Sequence, residues 1–190
     1  MKKIISCLLL LCCSAGAAGA DDFYTPLQIS VFHPVQVFTQ NTDVRGVRLS
    51  GIYGVNQEVS GLDIGLINKS TDTVRGLELG AINIADGDAK GAQLGLINLV
   101  GGNCTGYQYG IVNHVQGNFI GLQDGFVNNV EGGFRGVQSG LFWNFAQDMT
   151  GLQIGLIISA GDLHGLQIGL LNFTENKDPV GFLVIFNASY

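Results

Sequence analysis

Charge and proline are scarce in this chain of 190 residues. Only 13% of the residues are charged, 46% are hydrophobic, and there are 3 prolines. A disordered chain needs the opposite balance, with low hydrophobicity and high net charge, so the composition excludes intrinsic disorder. After the first twenty residues, no segment reaches the roughly 18 consecutive apolar residues of a transmembrane helix, and none is expected.

Cysteine is also rare, and three of the four cysteines lie within the first thirteen residues. Two lysines, a short apolar run and Ala-Gly-Ala at 18–20 are typical of a secretory signal peptide, which we assign to residues 1–20. Cleavage there leaves Cys104 as the lone cysteine, so no internal disulfide is expected. The alternative, in which Cys12 or Cys13 carries a lipid, stays open.

Basic residues are few once the signal peptide is removed. The remaining 7 Lys and Arg stand against 15 Asp and Glu, which gives a net charge of −8. Nucleic-acid-binding proteins carry a basic patch, so this class of partner is excluded. The spacing around His33, His114 and His164 predicts no metal site, and no motif predicts a cofactor. We interpret the acidic segment Asp86-Gly87-Asp88 as a solvated corner.

Glycine, in contrast, is abundant, with 29 residues, and many of the glycines are periodic. An opening glycine recurs every 15 residues from Gly46 to Gly151, then after 14 residues at Gly165 and after 16 at Gly181. Similar phrases follow these glycines, such as GLDIGLIN, GLELGAIN and GAQLGLIN. Self-similarity at a fixed spacing is the signature of a repeat architecture.

The repeat divides the chain into four segments. The signal peptide at 1–20 is followed by an N-terminal strand or cap at 21–45. Nine repeats of 15 residues then occupy 46–180, and a C-terminal closing strand occupies 181–190.

Within each unit, numbered from its opening glycine, apolar residues follow a period of two. Positions 2 and 6 are apolar, position 4 is mostly Leu or Ile, and position 5 is glycine from the second unit on. Position 8 is commonly Asn, and positions 10 and 14 are often Val, Ala or Phe. This alternation is typical of a strand with one buried face, with its one interruption expected at positions 15 and 1. The sequence therefore predicts an all-β protein whose even positions point inward, among them Leu62, Ile64, Leu66, Leu152, Ile154 and Leu156.

Two architectures accommodate these strands. In a β-solenoid each unit is one coil, equal positions stack about 4.8 Å apart, and Asn at position 8 forms a corner. In an up-and-down antiparallel β-meander or outer-membrane β-barrel, Arg48, Asp63 and Glu78 pair inside the lumen, and the alternating residues before Tyr190 resemble a last barrel strand. The apolar band spans only positions 2 to 6, shorter than the roughly 9–11 residues that cross a membrane, so the solenoid is favoured and the barrel is the alternative.

The glycine-led phrases, the 15-residue spacing and the lead-in VRGVRLSGIYGVN resemble the GLQxGLxN surface-repeat proteins of spirochaetes and other diderm bacteria. The resemblance covers about residues 27–190. It implies an exported or outer-surface location and implies no reaction. The chain departs from the family pattern at Asp124, Ser139, Trp143 and Ile158.

The side chains at position 3 are the feature with a functional implication. Glutamine there is flanked by glycine at positions 1 and 5, and we expect it to face solvent as an amide ladder. Such a strip of low relief could bind an unknown protein or glycan, or a second copy of the chain. The residues of this predicted binding face are Gln93, Gln108, Gln123, Gln138, Gln153 and Gln167.

No catalytic site is predicted. An enzyme would have to use the irregular patch formed by Tyr107, Tyr109, His114, Asp124 and Trp143. The expected function is that of an exported, surface-associated structural or binding repeat protein without catalytic activity. We expect it at the cell surface or outer membrane of a diderm bacterium, or in the periplasm. A small outer-membrane β-barrel serving as a pore or anchor is the alternative.

Overall fold

The computed structural model describes residues 24–176 and 181–189, and the predicted signal peptide lies outside them. No helix in the described part of the chain is long and apolar enough to span a membrane. The described residues form twelve strands: β1 (Tyr24–Phe32), β2 (Val35–Gln36), β3 (Asp43–Asn56), β4 (Val59–Ile64), β5 (Ile67–Ser70), β6 (Val74–Leu79), β7 (Ile82–Ala85), β8 (Ala89–Leu94), β9 (Ile97–Val100), β10 (Cys104–Val115), β11 (Phe119–Thr174) and β12 (Phe182–Ser189).

Successive repeat units pair in parallel and in register. Between β4 and β6, Gly61 lies opposite Gly76 and Asp63 lies opposite Glu78, and the same offset continues from β6 to β8. An antiparallel meander would instead bring equal positions of neighbouring units to opposite ends. The parallel register confirms the prediction of an all-β solenoid with one unit per coil, and it excludes the antiparallel alternative for these coils.

Each regular coil consists of two short strands and two bends. In one coil β4 ends at Ile64 and β5 begins at Ile67, so Gly65 and Leu66 form the first bend. Residues 71–73 form the second bend and lead into β6. Stacking assembles β4, β6 and β8 into a first sheet and β5, β7 and β9 into a second, while β3 and β10 belong to both.

The side chains of the first sheet point the opposite way from the prediction. Leu66 is 51% exposed, whereas Asp63 is fully buried. A period of 15 requires one interruption of the alternation per coil, and it falls at the first bend rather than at positions 15 and 1. Positions 2, 4 and 6 therefore face outward. The prediction of a buried core is wrong for all six even-position residues named for it: Leu62, Ile64, Leu66, Leu152, Ile154 and Leu156.

The glycine at position 5 shows why this orientation is required. A Cβ atom added to Gly95 would lie 2.6 Å from the carbonyl oxygen of Gly80 and 2.8 Å from Nδ2 of Asn83. Position 5 thus faces the interior with no room for a side chain. Because positions 1 and 5 are both glycine, the long side chain at position 3 has no bulky inward neighbour on either side within its own strand.

The apolar core is a narrow strip formed by positions 10 and 14, which point inward as predicted. Phe119 and Phe134 stack in this strip with ring centroids 5.0 Å apart. The other buried members are Val74, Ala85, Ala89, Val100, Cys104, Val115, Val130, Ala146, Met149, Ala160 and Leu163. Hydrophobic burial is therefore confined to the side of the coil nearest the second bend, and the remaining interior is polar.

At both ends of the solenoid, a terminal strand places a buried polar side chain next to a side chain at position 3. At the N-terminal end β1 pairs in parallel with β3 and places Gln28 opposite Arg48. Gln28 is buried, and its Nε2 donates to the carbonyl oxygen of Phe38 at 2.8 Å. At the C-terminal end β12 runs antiparallel to the last coil and places Asn187 opposite Gln167.

Candidate functional site

The glutamines that were predicted to face solvent lie in the interior. Nε2 of Gln108 donates to Oε1 of Gln93 at 2.7 Å, and the same bond recurs in each later coil at 2.7–2.9 Å. These side chains are at most 3% exposed. We call the series the glutamine column; it comprises Gln93, Gln108, Gln123, Gln138, Gln153 and Gln167. The premise of a solvent-facing binding ladder is therefore wrong.

Burial of the glutamine column follows from the hydrogen-bonding capacity of the amide group. An amide buried without a partner is costly, whereas one that both donates and accepts is satisfied. Identical amides in stacked coils meet at the strand spacing of about 4.8 Å, so each bonds the next. A chain of such bonds also strengthens cooperatively in a low-dielectric interior.

Three charged residues occupy position 3 at the N-terminal end of the glutamine column. Nε of Arg48 donates to Oδ1 of Asp63 at 2.8 Å, and a second bond joins Nη2 to Oδ2. Nη1 of Arg48 donates to the carbonyl oxygen of Lys69 at 2.8 Å. Glu78 lies opposite Asp63 in the next coil and accepts a hydrogen bond from Nε2 of Gln93 at 2.6 Å. Position 3 thus holds one buried cation and two buried carboxyl groups in these coils, and the hydrogen bonds that the cation donates to another side chain go to Asp63.

The pKa values of both carboxyl groups are raised. Burial, with a smaller contribution from the neighbouring Asp63 carboxylate, raises the pKa of Glu78 to about 7 against the opposing effects of Gln93 and Arg48. Burial also raises the pKa of Asp63, although its hydrogen bond to Arg48 opposes the shift. Oε1 of Glu78 has no hydrogen-bond partner in the described chain.

A second column of buried amides occupies position 8. Nδ2 of Asn83 donates to Oδ1 of Asn98 at 2.8 Å, and Nδ2 of Asn98 donates to Oδ1 of Asn113 at 2.8 Å. We call this the asparagine column; it comprises Asn68, Asn83, Asn98, Asn113, Asn128 and Asn144. The predicted stacking of Asn83, Asn98 and Asn113 is confirmed. Their predicted place at a corner is wrong, because they lie within strands of the second sheet, after the first bend. Its amides donate toward the C-terminal end, whereas those of the glutamine column donate toward the N-terminal end.

Two units that depart from the repeat pattern affect the asparagine column differently. Trp143 occupies position 8 by sequence count, but it is exposed, and Asn144 accepts from Nδ2 of Asn128 at 2.9 Å. One extra residue at the first bend produces this shift, and a search one residue on either side of position 8 would have found Asn144. Ile158 is buried at position 8 and interrupts the column.

Replacement of a central asparagine tests the column. Asn98→Leu removes the acceptor of Asn83 and the donor to both Asn113 and the carbonyl oxygen of Tyr109. We expect the free energy of unfolding to fall by at least about 2 kcal/mol, because each buried unsatisfied group costs about 1–3 kcal/mol. Urea denaturation followed by circular dichroism measures the change. Asn103→Leu, at an exposed turn, is the matched control, and equal losses in the two variants would contradict a buried role for Asn98.

The outer surface of the coils carries the apolar residues of the repeat. Position 6, on the first bend, is the most prominent, with Leu66 51%, Leu96 54% and Leu141 73% exposed. We call this row the apolar ridge; it comprises Leu66, Ala81, Leu96, Ile111, Phe126, Leu141, Leu156 and Leu170. Positions 2 and 4 flank it on the first sheet and position 7 on the second. A continuous row of exposed apolar side chains of this kind marks a contact site.

Charged residues lie away from the apolar ridge. In the units that open from Gly61 to Gly165, Asp124 is the one charged residue at positions 2, 4, 6 and 7. Six acidic residues cluster at the second bend; this acidic bend comprises Asp72, Asp86, Asp88, Glu131, Asp148 and Asp162. On the outer face of the first sheet, position 15 is basic in four units and neutral at Ser60, Thr105, Ile120 and Thr150. We call the four basic residues the basic row; it comprises Arg45, Arg75, Lys90 and Arg135.

The irregular patch named for an enzyme is brought together only in part. Tyr107, Tyr109 and Asp124 share the first sheet, where Tyr109 lies opposite Asp124 and the tyrosine ring centroids are 6.4 Å apart. His114 belongs to the second sheet, where it lies opposite Leu99. In the described part of the chain, no group of three His, Cys, Asp or Glu residues is placed to hold a metal ion.

Comparison of the chain with protein-family models, with curated proteins and with solved structures gives no match. Function is therefore inferred from the surfaces of this chain itself.

Proposed function

We propose that the chain is an exported, surface-associated structural or binding repeat protein without catalytic activity, and that the apolar ridge is its contact surface. The observation that carries this proposal is the exposure of the ridge, whose residues are exposed in seven of eight successive units and half-buried at Ala81. A soluble monomer rarely exposes a contiguous apolar patch larger than a few hundred Å², and larger patches mark protein or membrane contacts.

The interior supports a structural role for the repeat. The polar side chains that recur at positions 3 and 8 bond one another in the glutamine and asparagine columns, and both columns are buried. Enzymes and small-molecule binders hold their polar groups in a concave pocket open to a ligand. Here the recurring polar residues hold one coil on the next, and the recurring apolar residues face outward.

Export is supported by the sequence. The segment at 1–20 has the two lysines, the apolar run and the Ala-Gly-Ala cleavage site that are typical of a secretory signal peptide. The resemblance to GLQxGLxN surface-repeat proteins points to the same compartment. A pore function would need a lumen, whereas the interior of the described coils is filled by buried side chains.

The proposal is tested in a diderm host that expresses the full chain. We expect mass spectrometry to find Asp21 at the N-terminus and fractionation to find the protein with the cell envelope. A ridge variant with Leu66→Ser, Leu96→Ser and Leu141→Ser should be released into the soluble fraction with its circular dichroism unchanged. An acidic-bend variant with Asp72→Asn, Asp86→Asn and Asp148→Asn should stay with the envelope. An intact Met1, or a ridge variant retained as well as the wild type, would overturn the proposal.

A further inference from the structure

Building on the proposed function, we infer that the apolar ridge docks on a lipid surface that carries anionic headgroups. The ridge and its flanking rows enter the apolar layer of the membrane, and the basic row lies at the level of the headgroups. Three features carry this inference: the convex shape of the ridge, its continuity along the stack, and the placement of charge around the coil.

The ridge is convex because it runs along a bend. Gly65 and Leu66 lie between β4 and β5, so the outward rows on either side of position 6 belong to two different sheets. From Leu66 to Leu170 the row makes seven steps of about 4.8 Å, which gives a length of about 34 Å. The result is a straight, narrow apolar edge, comparable to the apolar face of an amphipathic helix that lies in a membrane interface.

This convexity argues against a second copy of the chain as the occupant. Two flat sheets pack face to face at about 10 Å. A second copy could cover the row at position 4 or the row at position 7, but these rows face away from each other across the bend. A fluid lipid layer conforms to both rows at once.

Charge is distributed around the coil in the order that a lipid surface with anionic headgroups requires. Proceeding from the acidic bend along the first sheet, the chain presents the basic row at position 15, the apolar rows at positions 2 and 4, and then the ridge. Cationic side chains next to an apolar face bind anionic headgroups and extend their stems along apolar surface. The acidic bend lies at the opposite edge of the coil from the ridge, where repulsion from the headgroups is weakest.

Part of the basic row is already engaged within the protein. Arg75 forms a salt bridge with Glu58 at 2.8 Å, and the guanidinium of Arg45 lies 4.8 Å from the ring centroid of Tyr24. Both groups remain at the surface, where an ion pair is worth little and can be exchanged for a headgroup.

The test is co-sedimentation of the purified mature chain with vesicles of phosphatidylcholine, with and without phosphatidylglycerol. We expect binding to the vesicles that contain phosphatidylglycerol, weakened by salt because exposed charges are screened. The ridge variant should bind at least about tenfold more weakly, because it loses buried apolar area. A basic-row variant with Arg75→Gln, Lys90→Gln and Arg135→Gln should lose about tenfold or more on anionic vesicles only.

The acidic-bend variant is the matched control and should bind as the wild type does. Analytical ultracentrifugation without vesicles measures self-association. A wild-type chain that fails to bind either vesicle, or that dimerises through the ridge, overturns the lipid inference. If such a chain still depends on the ridge for retention at the envelope, the proposed function stands and the occupant is a protein. If the ridge variant is retained at the envelope, the proposed function itself fails.

Discussion

Gly91→Ala is expected to lower the free energy of unfolding by at least about 3 kcal/mol. Gly91 opens a central coil with φ of 134°, a backbone conformation that is almost exclusive to glycine and costs other residues about 1–3 kcal/mol. The added Cβ atom would also overlap the carbonyl oxygen of Gly76 in the adjacent coil. Backbone atoms of a stacked coil cannot yield as a flexible side chain can, so the strain extends to the coils on either side.

Urea denaturation followed by circular dichroism measures this loss, with Gly133→Ala as the matched control. Gly133 has no positive φ, and a Cβ there would meet only Oδ1 of Asn118 within 3.4 Å, at 3.2 Å. We expect the control to change stability by less than about 1 kcal/mol. Equal losses in both variants would mean that the opening glycine has no special backbone role.

Glu78→Gln is expected to stabilise the protein above pH 7 and to reduce its dependence on pH. The folded-state pKa of Glu78 is raised from 4.5 to about 7, so the folded chain holds a proton that the unfolded chain releases between these values. Stability is therefore highest below pH 4.5 for this group and falls as pH rises toward 7. The full difference corresponds to about 3 kcal/mol.

An amide at this position removes the penalty because it is neutral at every pH. It can accept from Gln93 and donate toward Asp63, so it extends the glutamine column by one layer. The free energy of unfolding should rise by roughly 1–3 kcal/mol above pH 7. Glu175→Gln, at an exposed acidic residue, is the control and should change the free energy of unfolding by less than about 0.5 kcal/mol at each pH. A Glu78→Gln profile that parallels the wild type would show that another group governs the pH dependence.

The period of the repeat and the class of the fold could be predicted from the sequence. Regular spacing of glycine and apolar residues at alternate positions indicate strands of constant length, and constant length indicates coils that stack. The position of Asn83, Asn98 and Asn113 in one column follows from the same argument. Two features that depart from the 15-residue period were not predicted. Gln28 stacks on Arg48 although their positions differ by twenty residues, and the extra residue at the first bend near Trp143 moves the asparagine of that coil to Asn144.

The direction of the side chains could not be predicted from alternation alone. A period of two shows that two faces differ, but it does not show which face is buried. Hydrophobicity assigned Leu62, Ile64 and Leu66 to the interior, and in the structure Asp63 and its equivalents occupy it instead. Only the stacking of coils makes this favourable, because each buried amide then meets an identical amide that satisfies it.

The sequence by itself determined the strand content, the 15-residue coil, the inward positions 10 and 14, and the asparagine column, because these depend on spacing along the chain. The tertiary structure decided where the alternation is interrupted, and that one choice sets which residues face solvent. Glycine at position 5 leaves no space for a side chain beside Asn83, so the interruption falls at the first bend and the glutamine column lies inside. The leucines of the apolar ridge are then left on the surface, where they can bind another surface.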